Sequence, residues 1–75
     1  MNNIIPPQWP KKYSEYLLAI ALEQISDRTK ADILVNETFL LAAASQATFS
    51  SENAERKWLT AILKNKIADT IAKNS

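Results

Sequence analysis

The 75-residue sequence has no glycine, no cysteine and no histidine, and its three prolines are confined to positions 6, 7 and 10. Each absence excludes something. Without cysteine there is no disulfide, and without histidine as well the usual ligands of structural zinc are gone, leaving only oxygen donors for a hard cation. Without glycine or a later proline, the sixty-five residues after Pro10 carry no strong helix breaker, which argues for helices joined by polar turns. Long apolar runs are also missing: YLLAIAL and FLLAAA fall far short of the roughly 20 residues needed to span a bilayer. Met1 to Pro10 has neither a basic start nor a useful apolar run, so no signal peptide is expected, and the chain reads as soluble, intracellular and cytoplasmic.

What is present must therefore fold by apolar packing alone. A chain of this length makes one domain and buries roughly 60 to 65 per cent of its unfolded surface, a small core with no covalent or metal staple. The net charge is +1. Its distribution is uneven, because Arg56, Lys57, Lys64, Lys66 and Lys73 outnumber Glu52, Glu55 and Asp69 in the last third. Such an excess more often marks a solvated helix face than a nucleic-acid footprint.

Taken in order, MNNIIPPQWP reads as an extended leader over residues 1–10, with room for a short extra N-terminal turn where Pro10 could sit in the first turn of a helix. Trp9 is expected to fold back as a hydrophobic lid. A first helix is predicted over Lys11 to Ile25, with Tyr13, Tyr16, Leu17, Ile20 and Gln24 on one face and Leu18, Ala19, Ala21 and Leu22 widening the apolar arc. Asp27 suits the N-cap of a second helix from Arg28 to Ala47, in which Leu34, Val35, Phe39, Leu40 and Ala42 supply the inward residues in some combination. The alanines at 42, 43, 44 and 47 permit close helix approach. After the polar stretch SQATFSSEN, Ser51 or Asn53 can cap a third helix running to about Ala72, with Glu52 and Glu55 at its positive end. Leu59, Ile62, Leu63, Ile67 and Ile71 form its apolar stripe, while Lys57, Lys64 and Asn65 fall together on another side. The predicted fold is all-α, a small three-helix bundle over residues 11–75.

Catalysis is not expected, and neither a cofactor nor a metal is implied. There is no nucleophile paired with a base, no Gly-rich phosphate loop, and Asp32 and Glu37 are five residues apart, out of the i, i+4 stacking a ligand pair would use. A binding surface fits better. In ADILVNETFLLAAA, Asp32, Asn36 and Glu37 put a polar face on an otherwise core-like helix. Further on, Phe49 in a polar loop and Trp58 at a helix start could stack on unpaired bases while nearby lysines hold phosphates. Plainer readings stand beside these: Trp58 as a core anchor, Phe49 as a loop plug, Asn65 as a solvated amide.

From Tyr13 to Asp69 the sequence resembles the region 2 domain of extracytoplasmic-function sigma factors. The family's acidic signature, typically DAEDLVQETF, stands here as KADILVNETF from Lys30 to Phe39, and its later aromatic-then-tryptophan block stands as Phe49 followed by WLTAILKNKIAD from Trp58 to Asp69. The resemblance implies two surfaces. Asp32, Asn36, Glu37, Leu40 and Leu41 would dock on the clamp helices of the β′ subunit of core RNA polymerase. Phe49, Ser50, Ser51, Arg56, Lys57, Trp58, Lys64, Asn65 and Lys66 would recognise the minus-ten promoter element as a melted non-template strand, with Phe49, Ser50 and Ser51 forming the pocket for a flipped base.

Some residues depart from that pattern. Ile33 stands where a second acid is usual, Asn36 replaces glutamine, Leu41 takes a position often basic, Ala43 stands where tryptophan is frequent, and TIAKNS lacks the usual aromatic and arginine-rich tail. The helix-turn-helix that reads the minus-thirty-five element is not in the sequence, so a piece of a longer factor is expected. The alternative is a sigma-like protein-interaction or sequestration module, for instance with an anti-sigma factor, without productive DNA binding.

Overall fold

The computed structural model describes residues 5–45 and 48–73, and they form three α-helices: α1 (Gln8–Gln24), α2 (Arg28–Ser45) and α3 (Glu52–Lys73). Each helix packs on the other two. The all-α three-helix bundle predicted from the sequence is the fold observed. Among the described residues, no helix is long and apolar enough to cross a membrane.

The starts of α2 and α3 follow from capping chemistry. The Asp27 carboxylate accepts hydrogen bonds from the backbone N–H groups of Thr29 (2.9 Å) and Lys30 (3.3 Å), satisfying donors that the first turn of α2 leaves free. Of the two candidates for α3, Ser51 is the cap: its hydroxyl accepts from the N–H of Ala54 at 3.1 Å, while Asn53 lies inside the first turn and accepts from Arg56. The first helix begins earlier than expected, at Gln8 rather than Lys11, so the last three residues of the supposed leader are helical. Pro10 is accommodated because a first-turn N–H would have no partner within the helix. The burial of Trp9 offsets the usual pre-proline bias against helix. At the other end of α2 the described helix stops at Ser45, and Ala47 lies outside the described residues.

Contacts fix the helix directions. Trp9, at the start of α1, stacks on Phe39 in the second half of α2, with ring centroids 6.2 Å apart, so these helices run antiparallel. Trp9 also reaches Glu55 at the start of α3, which makes α1 and α3 run the same way. The core between them is built from rows of residues four apart, Trp9, Tyr13, Leu17 and Ala21 on α1 and Leu59, Leu63 and Ile67 on α3, closed by Ala31, Leu34, Val35, Phe39 and Ala42 of α2. Trp9 thus closes one end of the core, as a lid would. Thr38 is fully buried among these groups, with its hydroxyl donating to the Leu34 carbonyl at 2.8 Å.

Several residues expected to face inward do not. Tyr16 is 43% exposed, Leu40 39% and Ile71 45%, and Gln24 is also on the surface. The reason is geometric: an apolar arc wider than half a helix does not say which of its rows is innermost, and here the four-residue row beginning at Trp9 takes that place. Small residues sit where helices come close, Ala21, Ala31 and Ala42 being essentially without solvent contact, whereas Ala44 is exposed.

Candidate nucleic-acid interface

The N-terminal ends of α1 and α3 meet around one carboxylate. Glu55 accepts from the indole N–H of Trp9 at 2.6 Å and from the hydroxyl of Tyr13 at 2.7 Å. Beside it, the Lys12 ammonium donates to the Glu52 carboxylate. That hydrogen bond, reinforced by the charge attraction, raises the pKa of Lys12 and lowers that of Glu52. Burial, helped by the hydrogen bond to Glu55, pushes the Tyr13 hydroxyl up to about 12. Among the described residues no three His, Cys, Asp or Glu side chains come together as metal ligands.

Against this clip opens a cleft of about 540 Å³, bordered by Gln8, Trp9 and Lys12 on one side and by Phe49, Ser50 and Ser51 on the other. Phe49 lines the cleft and packs on Trp58, ring centroids 5.1 Å apart and planes tilted by 51°. Both rings are half-buried, so each is anchored in the bundle and still meets solvent. Ser50 is exposed, and Ser51 combines its cleft position with its capping bond.

The nine residues assigned to DNA from the sequence do not form one patch. Phe49, Ser50, Ser51 and Trp58 gather at the loop corner. Lys57 and Asn65 lie on the solvent side of α3. Lys64 lines a groove with Ile20, Glu23 and Gln24 of α1. Arg56 also faces α1: its guanidinium lies 5.5 Å from the ring centroid of Tyr16, and it donates to the Asn53 side chain at 2.7 Å. Lys66 turns the opposite way, toward α2, where its ammonium is 3.6 Å from the carboxylate of Glu37. One residue from each supposed surface is therefore paired with one from the other.

On α2 the residues assigned to a protein partner do share the outward side. Asp32, Asn36 and Glu37 are exposed, with Asp32 3.6 Å from Arg28 one turn earlier. Leu40 and Leu41 stand beside them, 39% and 51% exposed, and Ile33 is 51% exposed. Three large apolar side chains this exposed on the outer face of a helix whose inner face already fills the core form a patch of the kind that meets a partner.

These two surfaces lie within a stretch that has a known counterpart. Over most of its length the chain is similar to a sigma factor. A protein of Haemophilus influenzae described as a probable RNA polymerase sigma factor is 36% identical to it over 67 residues, which is 89% of this chain and 34% of the relative. The chain thus spans about a third of the length of the curated relative it matches. No protein-family model matches the chain, and no solved structure matches it significantly.

Four residues at the cleft and its edge, Trp9, Lys12, Tyr16 and Glu55, have no functional assignment from the sequence. Glu55 is legible there only as a favourable charge in the first turn of a helix. Its two donors lie 42 and 46 positions away, on a different helix, and no local pattern pairs them.

Proposed function

We propose that this bundle is a promoter-recognition module of the sigma region 2 kind, working in the cytoplasm without a cofactor. The outer face of α2, with Asp32, Asn36, Glu37, Leu40 and Leu41, docks on the clamp helices of the polymerase β′ subunit. The loop corner captures the melted non-template strand of the minus-ten element: Phe49 and Trp58 offer aromatic surface and Ser50 and Ser51 hydroxyls, while Arg56, Lys57, Lys64 and Lys66, spread around α3, steer the phosphates by charge from outside the corner. Trapping bases that are free only in the open strand shifts the duplex toward melting, since a ligand moves an equilibrium by its difference in affinity for the two states.

The observation that carries this reading is the outward exposure of Ile33, Leu40 and Leu41 around the Glu37 carboxylate, within and just after the Lys30–Phe39 stretch that resembles the acidic signature. The similarity to a probable sigma factor supports polymerase as the partner.

Charge reversal tests the docking half. Glu37→Arg is expected to weaken binding to core polymerase by roughly tenfold or more, since like-charge juxtaposition at an interface costs far more than the loss of a surface pair. Fluorescence anisotropy of labelled protein titrated with core polymerase reads the change, and circular dichroism verifies that the variant is folded. Undiminished binding by a folded Glu37→Arg protein would exclude the outer face of α2 as the dock.

A further inference from the structure

We infer that the single strand does not end at the Phe49 cleft but continues across the seam between α1 and α3, over Lys12, Tyr16 and Arg56, on a track that binds without regard to sequence. The inference rests on the reading above and adds residues of α1 to it.

The cleft has a continuation. Next to it lies a second depression of about 400 Å³, lined by Lys12, Tyr13, Tyr16, Glu52 and Arg56. The two share Lys12 and Glu52, whose ion pair across the seam marks the border between them. A third, smaller hollow of about 140 Å³ extends it to Asn53.

The track carries the chemistry of single-strand binding. Tyr16 is 43% exposed although it lies on the side of α1 that meets α3, and the Arg56 guanidinium lies over one face of its ring, 5.5 Å from the centroid, which leaves the other face for a base. An accessible ring next to a planar cation offers a base a stacking platform and its phosphate a fork of donors. Lys12 adds a second cation at the junction of the two depressions. This also accounts for the position of Arg56, which faces Tyr16 of α1 and lines both hollows of the seam.

Two carboxylates share the seam with these cations. Glu55 accepts from the neutral Trp9 indole and Tyr13 hydroxyl, and the Glu52 carboxylate is held by Lys12. A phosphate reaching Lys12 competes with Glu52 for the ammonium. Removing that competitor should therefore strengthen binding, a sign opposite to that expected from loss of a merely structural ion pair.

The test compares oligonucleotides on the protein bound to core polymerase. A short minus-ten non-template strand is set against the same strand extended by three nucleotides of random sequence on its 5′ or its 3′ side. One extension is expected to tighten binding roughly tenfold, the scale of one added base stack with a phosphate contact. Tyr16→Ala should abolish that gain and leave the affinity for the short strand unchanged, Tyr16→Phe should retain it, and Glu52→Gln should enlarge it. A short strand that binds while neither extension adds affinity would overturn the track and leave the minus-ten reading standing. A gain that survives Tyr16→Ala would also overturn it. Failure of even the short strand to bind would overturn both.

Discussion

Replacing Leu59 with alanine is expected to lower the unfolding free energy by about 2 to 5 kcal/mol. Leu59 has no solvent contact, and it lies in the α3 row with Leu63 and Ile67 that meets both other helices. Truncation removes the transfer free energy of the side chain and leaves a void that fixed helices on two sides cannot close. A domain of 75 residues holds about 4 to 11 kcal/mol in total, so one such change consumes a large part of it. Urea unfolding followed by circular dichroism should show a much lower midpoint, with the slope nearly unchanged. The contrast is Ile33→Ala. It removes a side chain of similar size that is 51% exposed on α2, and its effect on stability should stay within about 0.5 kcal/mol. A comparable loss at both positions would mean that the outer face of α2 is packed within the chain and unavailable to a partner.

The second large effect is expected at Glu55. Its removal leaves the Trp9 indole N–H and the Tyr13 hydroxyl, both on nearly buried rings, without their acceptor. An orphaned buried donor costs about 1 to 3 kcal/mol. Glu55 itself is half-buried, so water can replace part of what it supplies, and about 1 to 3 kcal/mol in total is the expected loss for Glu55→Ala. Glu55→Gln keeps one acceptor and should lose less. The same clip sets an alkaline limit. Burial raises the Tyr13 pKa from its ordinary 10.0 to about 12, so between these values the folded chain holds a proton that the unfolded chain has released. The resulting stability is fully present below pH 10 and declines as pH rises toward 12. Unfolding midpoints across that window should fall for the wild type and fall less steeply for Tyr13→Phe. Parallel curves would show that Tyr13 does not titrate with folding.

Much of the fold could be read from residue order alone because local chemistry decides it. Asp27 and Ser51 supply acceptors for first-turn amides, and the absence of glycine leaves the intervening stretches uninterrupted, so three helices and their joints follow. Trp9–Pro10 leaves the start of α1 open between a proline-bearing first turn, which is observed, and an extended leader, and the burial of Trp9 at a core end decides between them. Tyr16 and Leu40 mislead about the inner face. They belong to apolar arcs broad enough to contain two rows, and only the neighbouring helices decide which row is innermost.

The candidate site divides along the same line. Its α2 face is legible because Asp32, Asn36 and Glu37 interrupt an apolar run locally. Its α3 face is less so. Arg56, Lys64, Asn65 and Lys66 are close in sequence yet point to different sides, and Lys66 meets Glu37 of another helix. Contacts between helices, such as Glu55 with Trp9 and Tyr13, are products of the assembled bundle and leave no trace in spacing.

An open promoter strand held at the loop corner, with polymerase held on α2, would make binding depend on both strand state and polymerase. The most direct measurement is the affinity of the protein for a fluorescent minus-ten non-template oligonucleotide, with and without core polymerase, against the same sequence as duplex. Binding of the single strand that strengthens when polymerase is added, exceeds duplex binding, and weakens at least fivefold in Phe49→Ala is the predicted result, given that a base stack is worth about 1 to 3 kcal/mol. Binding to polymerase with no preference for the open strand, and no effect of Phe49→Ala, would contradict it and leave a protein-interaction module in its place.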